Sequence, residues 1–519
     1  MNILLVNGNT TRCGRGVFTP TPGPAGLISL AGVLRRRGHR VQIRQVSEHV
    51  LPQDNESLPL ARAELESILA EFSPDLIGIS CRNIGAARQP ANPFHLVQYY
   101  SVYYDERLVR LFHQLSRAPV VMGGSAFSIE PGLYLKYARP DFGLIGEAEE
   151  SLAALAEALQ RHETPRGIPG LVAGLADLDS ARQNVGRVAD LSAIGPGACD
   201  VVHDFPRHYY ESGGYGQIQT KRGCPMNCIY CTTPWLEGRT YRYRPIEYAV
   251  EEMRAYRDVW GVRHFFFVDG TFNHPVDHAL EVCEALLQAN LGVEWYACVN
   301  PAAVPDELAR AMKRAGCMGV TLTPDSCSDR VLKAYDKGFS TAEVAQAVGA
   351  LQRHNIPIDT CIIIGGPGET RETVAESVTF CEEHLPGDVV RFYNGLVITN
   401  SCPAHGLGVS EGLIDPKRPY EDLVLGNDFR AARRYEYLFP HVKEDRRELL
   451  KWVAQVCRRR RWLTSEDIVA SRGTGEFHLR PEIHTEPGAR PWWSGLERNA
   501  GAGQAAGCSA KTAPDTVSR

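Results

Sequence analysis

The stretch KRGCPMNCIYCTTP, residues 221–234, packs three cysteines, Cys224, Cys228 and Cys231, into one C-x3-C-x2-C loop. Zinc takes four ligands and disulfides form in pairs, so three closely spaced thiols suit neither. Three thiolates from one loop can hold three corners of a cubane 4Fe–4S cluster, because soft sulfur ligands suit iron and the spacing lets one loop wrap one cluster. The fourth iron is then open to a substrate or cofactor. A zinc reading needs a fourth partner, and the nearest histidines, His208 and His264, are not at finger-like spacing.

Bulk properties set the frame for that loop. At 519 residues the chain exceeds one ordinary core, so about two or three domains are expected. A hydrophobic share of 44% and a charged share of 23% mark a globular chain. The net charge of −5 offers no basic field to recruit nucleic acid or an anionic membrane. The 15 scattered cysteines form an odd set that reads as reduced thiols of a cytoplasmic protein. The opening MNILLVNGNT is too short in its apolar run for a signal peptide and reads as a first strand. No run approaches the roughly 18 apolar residues of a membrane span.

The elements that must position the loop alternate. Residues 1–160 read as strands and helices in turn: NILLVN, then a helical GPAGLISLAGVLRRRG, then HRVQIRQV, DLIGIS, APVVMGG and FGLIGEAEESLAALAEALQ. This is a βαβ series, hence an α/β fold with a doubly wound parallel sheet and a ligand at the carboxyl ends of its strands. Residues 161–214, rich in Gly, Pro and Ala, read as a long irregular surface linker. From 215 to 400 the alternation resumes. GQIQT leads into the cysteine loop, and HFFFVDG, VEWYACV, MGVTLTP, IPIDTCIIIGG and DVVRFYNGLVIT follow. Six repeats predict a partial (β/α)6 barrel. Residues 401–485 read as a helical C-terminal region, including a helix over 444–463 whose Arg458–Arg461 run is a solvated face. Residues 486–519 lack apolar periodicity and are expected to be disordered.

The cysteine loop, with Tyr230 before its last cysteine and a half-barrel behind it, resembles the radical S-adenosylmethionine (SAM) superfamily. The resemblance implies that the open iron chelates the amino and carboxylate groups of SAM and that Tyr230 lies near the adenine. VDGTF, with Asp269 and Thr271, resembles the segment that helps hold the SAM amino group. TPDSCSDRVLKAYDKG looks like the fourth-strand element whose acidic residue touches ribose and amino group; Asp325 stands where Glu is usual, beside Ser326, and Cys327 where Gly is usual. IIIGGPGET, with Gly365 and Gly366, resembles the turn that packs near the adenine.

Residues 1–160 resemble the cobalamin-binding domain of one radical SAM class. The resemblance rests on VVMGGSAFSIEP, with Gly123, Gly124 and Ser125, and on DFGLIGEAEESL, with Gly146 and Glu147. These turns would let backbone lie against a corrin. The D-x-H-x-x-G loop that supplies a cobalt-ligating histidine is absent. SCRNIG stands in its place, with Arg82 and Asn83, and resembles the version seen in radical SAM methyltransferases. Arg82 then faces the lower side of the corrin, or else makes an ordinary strand-end ion pair.

The resemblance implies methyl transfer. Cobalamin, cycling through methylcobalamin, passes a methyl group from one SAM to an unactivated carbon or a phosphinate phosphorus, and a second SAM is cleaved at the cluster to activate the substrate. An external electron donor such as flavodoxin or ferredoxin is implied. The substrate is expected to be a small biosynthetic intermediate, as in antibiotic biosynthesis, with a lean to P-methylation of a demethylphosphinothricin-type precursor. Arg239, Arg242 and Arg244 are available to an anionic phosphinate. A cobalamin-assisted radical SAM cyclase or rearranging enzyme shares these motifs. A non-catalytic cobalamin sensor would have no use for the three cysteines.

Overall fold

A computed structural model describes residues 1–7, 25–46, 58–81, 101–202, 215–415, 436–437, 446–460 and 462–464. The first sheet runs β1 (Asn2–Asn7), β2 (Arg40–Gln45), β3 (Leu76–Ser80), β4 (Val120–Gly123), β5 (Phe142–Leu144) and β6 (Leu171–Val172), in the spatial order β2-β1-β3-β4-β5-β6. β1 to β5 pair in parallel, as the βαβ pattern predicts. Ile3, Leu4, Leu5 and Val6 are all buried, which is why β1 reads as an unbroken apolar run with helices on both faces.

Residues 161–214 depart from expectation. In their described part, 161–202, Leu171 and Val172 add β6 antiparallel to β5, and the helix Gly197–Val201 is buried through Ala198 and Val201. These elements are only two to five residues long, set among Gly and Pro. No periodicity could mark them, and burial against the sheet stabilises them instead.

The second sheet begins at β7 (Gly216–Ile218). A small hairpin of β8 (Lys221–Arg222) and β9 (Arg242–Tyr243) stands beside it. Then come β10 (His264–Phe267), β11 (Glu294–Val299), β12 (Cys317–Asp325), β13 (Ile358–Ile364) and β14 (Val389–Asn394). β7 and β10 to β14 lie in sequential order, each parallel to the next, which gives the six-stranded partial barrel. β15 (Leu396–Val397) pairs with β16 (Glu436–Tyr437). The helix expected over 444–463 is described over Arg446–Arg460, and β17 (Leu463–Thr464) then pairs with β14 as a seventh strand. Trp462 stacks on Phe392 of β14 at 5.7 Å and docks this strand. Arg458, Arg459 and Arg460 are exposed, as a solvated face should be.

The two sheets share one continuous core, which runs from Ile3 and Leu5 through the helices Ala25–Arg36 and Glu149–Gln160 to Met253, Phe267 and Phe392. Among the described residues, no helix is long and apolar enough to cross a membrane.

Candidate functional site

The cysteine loop leaves the carboxyl end of β7 and is closed at its base by the β8–β9 hairpin. Gly223 makes that entry possible. Its φ is +98°, and a Cβ there would stand 2.3 Å from the Thr240 carbonyl oxygen. Backbone bonds stitch the loop down: Cys224 N donates to Gly238 O (3.0 Å), Ile229 N to Tyr335 O (3.1 Å), and Ala404 N to Ile229 O (2.8 Å). Cys224 is buried, Cys228 and Cys231 are half-buried, and all three thiols are free. Burial pushes the Cys224 and Cys228 thiols upward. Among the described residues, no three His, Cys, Asp or Glu side chains converge on one metal ion. Three free thiols spread along one loop fit the separate corners of a 4Fe–4S cluster and do not fit one zinc.

Behind the loop lies a buried polar group. Asp325, at the end of β12, has φ +63°. Its Oδ2 accepts from Lys337 Nζ (2.5 Å) and from the Tyr230 hydroxyl. Lys337 Nζ also reaches the Tyr230 hydroxyl (3.2 Å) and donates to Thr323 O (3.1 Å). Burial alone would lower the Lys337 pKa, but the charge of Asp325 and then the Cys228 thiol outweigh it, and the net shift is upward. The Tyr230 ring meets Tyr335 edge-on at 5.5 Å. Tyr230 and Asp325, both expected at the site, are thus brought together. Lys337 was not singled out. Its signal was a lone lysine one short helix, Asp329–Ala334, beyond the acidic residue.

Other expected residues are committed elsewhere. Asp269 accepts from Thr220 N (2.7 Å), Thr220 Oγ1 (2.5 Å) and Lys221 Nζ (3.2 Å), and its side chain is fully buried. It forms a buried ion pair with Lys221 that fastens β8 to the turn after β10. Thr271 is buried in the same turn. Ser326 is also buried; its hydroxyl faces Ser377 Oγ at 3.4 Å and accepts from Ser328 N, so it serves packing. Gly365 N donates to Glu369 Oε2 (2.9 Å). A Cβ on Gly366 would meet the Tyr335 ring at 2.1 Å, so this glycine makes room for a side chain that also supports the cysteine loop.

In the first sheet, Gly123, Gly124 and Ser125 are half-buried at the end of β4, where a Cβ on Gly124 would strike the Cys81 carbonyl oxygen. Gly146 passes equally close to the Gly186 carbonyl oxygen. Arg82 and Asn83 lie outside the described residues. Glu147, expected near a corrin, instead pairs with Arg222 and Arg242. Arg244 pairs with Glu252 (2.6 Å) and donates to Gly195 O (2.7 Å). Arg242 and Arg244 are therefore not free for an anionic substrate.

A cavity of about 700 Å³ opens between the cysteine loop and the segment 182–187. Cys231 and Trp235 of the loop, Ser401 of the turn beyond β15 and the segment 182–187 of the first unit line it. Ser401 Oγ donates to Ile129 O across the seam (3.4 Å). The turns with Thr271 and Gly365 do not line it. Arg182, Arg187 and Arg239 do, and no carboxylate appears among its described lining residues. Of the three arginines expected to face substrate, only Arg239 reaches this cavity; Arg182 and Arg187 lay in the supposed linker.

The family model of the B12 binding domain matches residues 12–156, and that of the radical SAM superfamily matches residues 218–381. The chain is 26% identical over 388 residues to an uncharacterized methyltransferase of Pyrococcus horikoshii, covering 74% of this chain and 78% of that one. It is 26% identical to the tryptophan 2-C-methyltransferase of Streptomyces laurentii, covering 73% and 70%. It is 24% identical to the cytidylyl-2-hydroxyethylphosphonate methyltransferase of Streptomyces wedmorensis, covering 69% and 73%. The fold is that of the radical SAM methyltransferase TsrM from Kitasatospora setae, solved with cobalamin and a [4Fe-4S] cluster bound: TM-score 0.62, 24% identity, covering 78% of this chain and 73% of that one. With a B12-binding domain ahead of a radical SAM domain, and a 4Fe–4S cluster, SAM and cobalamin as cofactors, the chain belongs to the cobalamin-dependent radical SAM methyltransferases.

Proposed function

We propose that the enzyme methylates an anionic small molecule, at a phosphinate phosphorus or an unactivated carbon, within the cavity at Cys231. The observation that carries this reading is the cavity's charge. Arg182, Arg187 and Arg239 line it without a described carboxylate among them, and the cysteine loop forms one wall. Guanidinium groups suit the flat, two-oxygen face of a phosphinate or carboxylate. One of the relatives named above acts on a cytidylyl-linked phosphonate, which supports a phosphorus acid as the anion.

Cys224, Cys228 and Cys231 hold the cluster, and the count of three leaves one iron for SAM. When bound, the cluster and cobalamin supply reductive cleavage of SAM and a transferable methyl group. The protein positions and shields. Tyr230 sets one edge of the SAM pocket. Asp325, held by Lys337, presents its remaining oxygen at the end of β12. The Gly365–Gly366 turn brings backbone close. Gly123, Gly124 and Ser125 offer backbone to the corrin. Trp235 and the 182–187 segment exclude water from the cavity. Electrons come from an external donor of flavodoxin or ferredoxin type. The free state of every described cysteine supports a reducing, cytoplasmic setting.

The test is product mass from SAM carrying a deuterated methyl group, with a phosphinate precursor and with tryptophan as competing substrates. One labelled methyl on the phosphinate is the expected result. Turnover of tryptophan alone overturns the anionic reading, and a product without the label points to a cyclase or rearranging enzyme.

A further inference from the structure

The Gly-Glu-x-Glu turn after β5 does not spend its carboxylates on a ligand. Glu147 Oε2 accepts from Arg242 (2.8 Å) and from Val188 N (2.9 Å) and forms an ion pair with Arg222 (3.2 Å), while its Oε1 takes a second bond from Arg242. Glu149 Oε1 accepts from Arg222 (2.6 Å) and from Ser29 Oγ (2.8 Å). The four charged side chains are 5–17% exposed. Burial would raise the Glu149 pKa, yet the Arg222 charge together with the hydrogen bonds from Arg222 and Ser29 brings the net shift downward.

Arg222 and Arg242 stand directly opposite each other in the β8–β9 hairpin. Like charges opposed across a two-residue ladder disfavour pairing. Two carboxylates from the first domain neutralise the two guanidiniums; Glu147 binds Arg242 in a bidentate manner and Glu149 accepts one bond from Arg222. The hairpin brackets the whole cysteine loop: Arg222 lies two residues before Cys224, and Arg242 closes the far side by donating to Glu237 O (2.7 Å).

We infer that Glu147 and Glu149 are positioning residues: they clasp the base of the cysteine loop through Arg222 and Arg242, and so fix the cluster-bearing loop relative to the B12-binding sheet. The clasp acts at the joint where a loosened loop would change the separation of the two cofactors while leaving each one bound. A buried charge left without its partner drives local opening.

The experiment uses the fully loaded enzyme and needs no substrate, so its outcome is independent of the anionic-substrate reading. Pulsed electron paramagnetic resonance measures the distance distribution between cob(II)alamin and the reduced cluster, and hydrogen exchange follows the amides of residues 221–244. Glu147→Gln is expected to keep both cofactors at full stoichiometry, to broaden the distribution and to speed exchange in the hairpin by on the order of tenfold or more. The charge-swapped pair Glu147→Arg with Arg242→Glu should narrow the distribution again. Arg242→Lys, which keeps charge but loses the bidentate bonds, should give an intermediate broadening and serves if Glu147→Gln does not fold. An unchanged distribution and unchanged exchange in Glu147→Gln or Arg242→Lys would overturn the clasp. Loss of cobalamin with the cluster intact would overturn it too, by showing that Glu147 is a corrin contact.

Discussion

The Lys337 ammonium stands 2.5 Å from Asp325 Oδ2, and both are buried beneath the cysteine loop. The pair is worth most as a unit, since either charge alone would be stranded. Lys337→Met is expected to cost about 3–5 kcal/mol of stability, the usual range for breaking a buried pair. Adding Asp325→Asn removes the stranded charge and should restore about half of that loss. Urea midpoints of the single and double variants measure the coupling. A double variant no more stable than Lys337→Met would show that Lys337 works against some other group.

Asp325 also explains a departure from the family pattern. With φ at +63° the residue sits in the left-handed region, where Asp and Asn are among the few side chains found. Restoring the usual Glu by Asp325→Glu should therefore weaken SAM binding, because the longer chain must be accommodated on a strained backbone while its carboxylate keeps the bonds from Lys337 and Tyr230. The dissociation constant of SAM on the cluster-loaded protein decides it; tighter binding would refute this account.

Gly223 gives a third test. A methyl group 2.3 Å from the Thr240 carbonyl oxygen cannot be accommodated without moving the hairpin. Gly223→Ala is predicted to lower cluster content to the level of the Cys224→Ala, Cys228→Ala and Cys231→Ala variants while the B12-binding domain still takes up cobalamin. Iron and sulfide analysis beside cobalamin absorbance reads both. Normal iron content in Gly223→Ala would remove the argument.

Much of the fold was legible because period and length speak locally. β1, β3 and β13 are apolar runs bounded by turn signals, and the cysteine spacing needs no tertiary knowledge. The partners of charged residues were not legible. Asp269 and Lys221 are 48 positions apart, and Arg222 and Glu149 are 73 apart. Nothing near Glu147 in sequence says that its carboxylate meets guanidiniums from the next domain. Asp269, Ser326 and Glu147 each have protein hydrogen-bond partners in a dry interior, and no motif could name those partners. The 161–202 segment was missed for a different reason: its elements are too short to show a period and exist only through burial.

The buried pairing of Asp269 with Lys221 predicts a split between stability and binding. Lys221→Met leaves the carboxylate buried with only the Thr220 bonds and the backbone N–H of residue 221, and should cost about 3–5 kcal/mol. Asp269→Asn strands the Lys221 ammonium in turn and should cost a similar amount. In whatever fraction stays folded and cluster-loaded, the dissociation constant of SAM should be unchanged in both. A large loss of SAM affinity in Asp269→Asn at unchanged thermal midpoint would place Asp269 at the cofactor site.

Glu369 sets a pH dependence in the turn that carries Gly365 and Gly366. Its carboxyl is 2% exposed, and burial pushes its pKa up to about 7, with the bonds from Gly365 N and Thr373 Oγ1 offsetting only part of the rise. The folded chain therefore keeps a proton that the unfolded chain has released. The contribution of Glu369 is fully present below about pH 4.5 and is lost as pH rises through about 7, by roughly 3 kcal/mol in total. Glu369→Gln mimics the protonated form, since its amide oxygen still accepts from Gly365 N. Relative to wild type, the variant should gain little at pH 5 and about 1–3 kcal/mol at pH 8. The difference between variant and wild type at each pH cancels the other groups that titrate in this window, Asp105 at about 7 and Asp359 at about 6 among them. Urea midpoints at the two pH values measure it. A variant destabilised equally at both would mean that Glu369 is held ionised in the fold, and that its charge supports the turn.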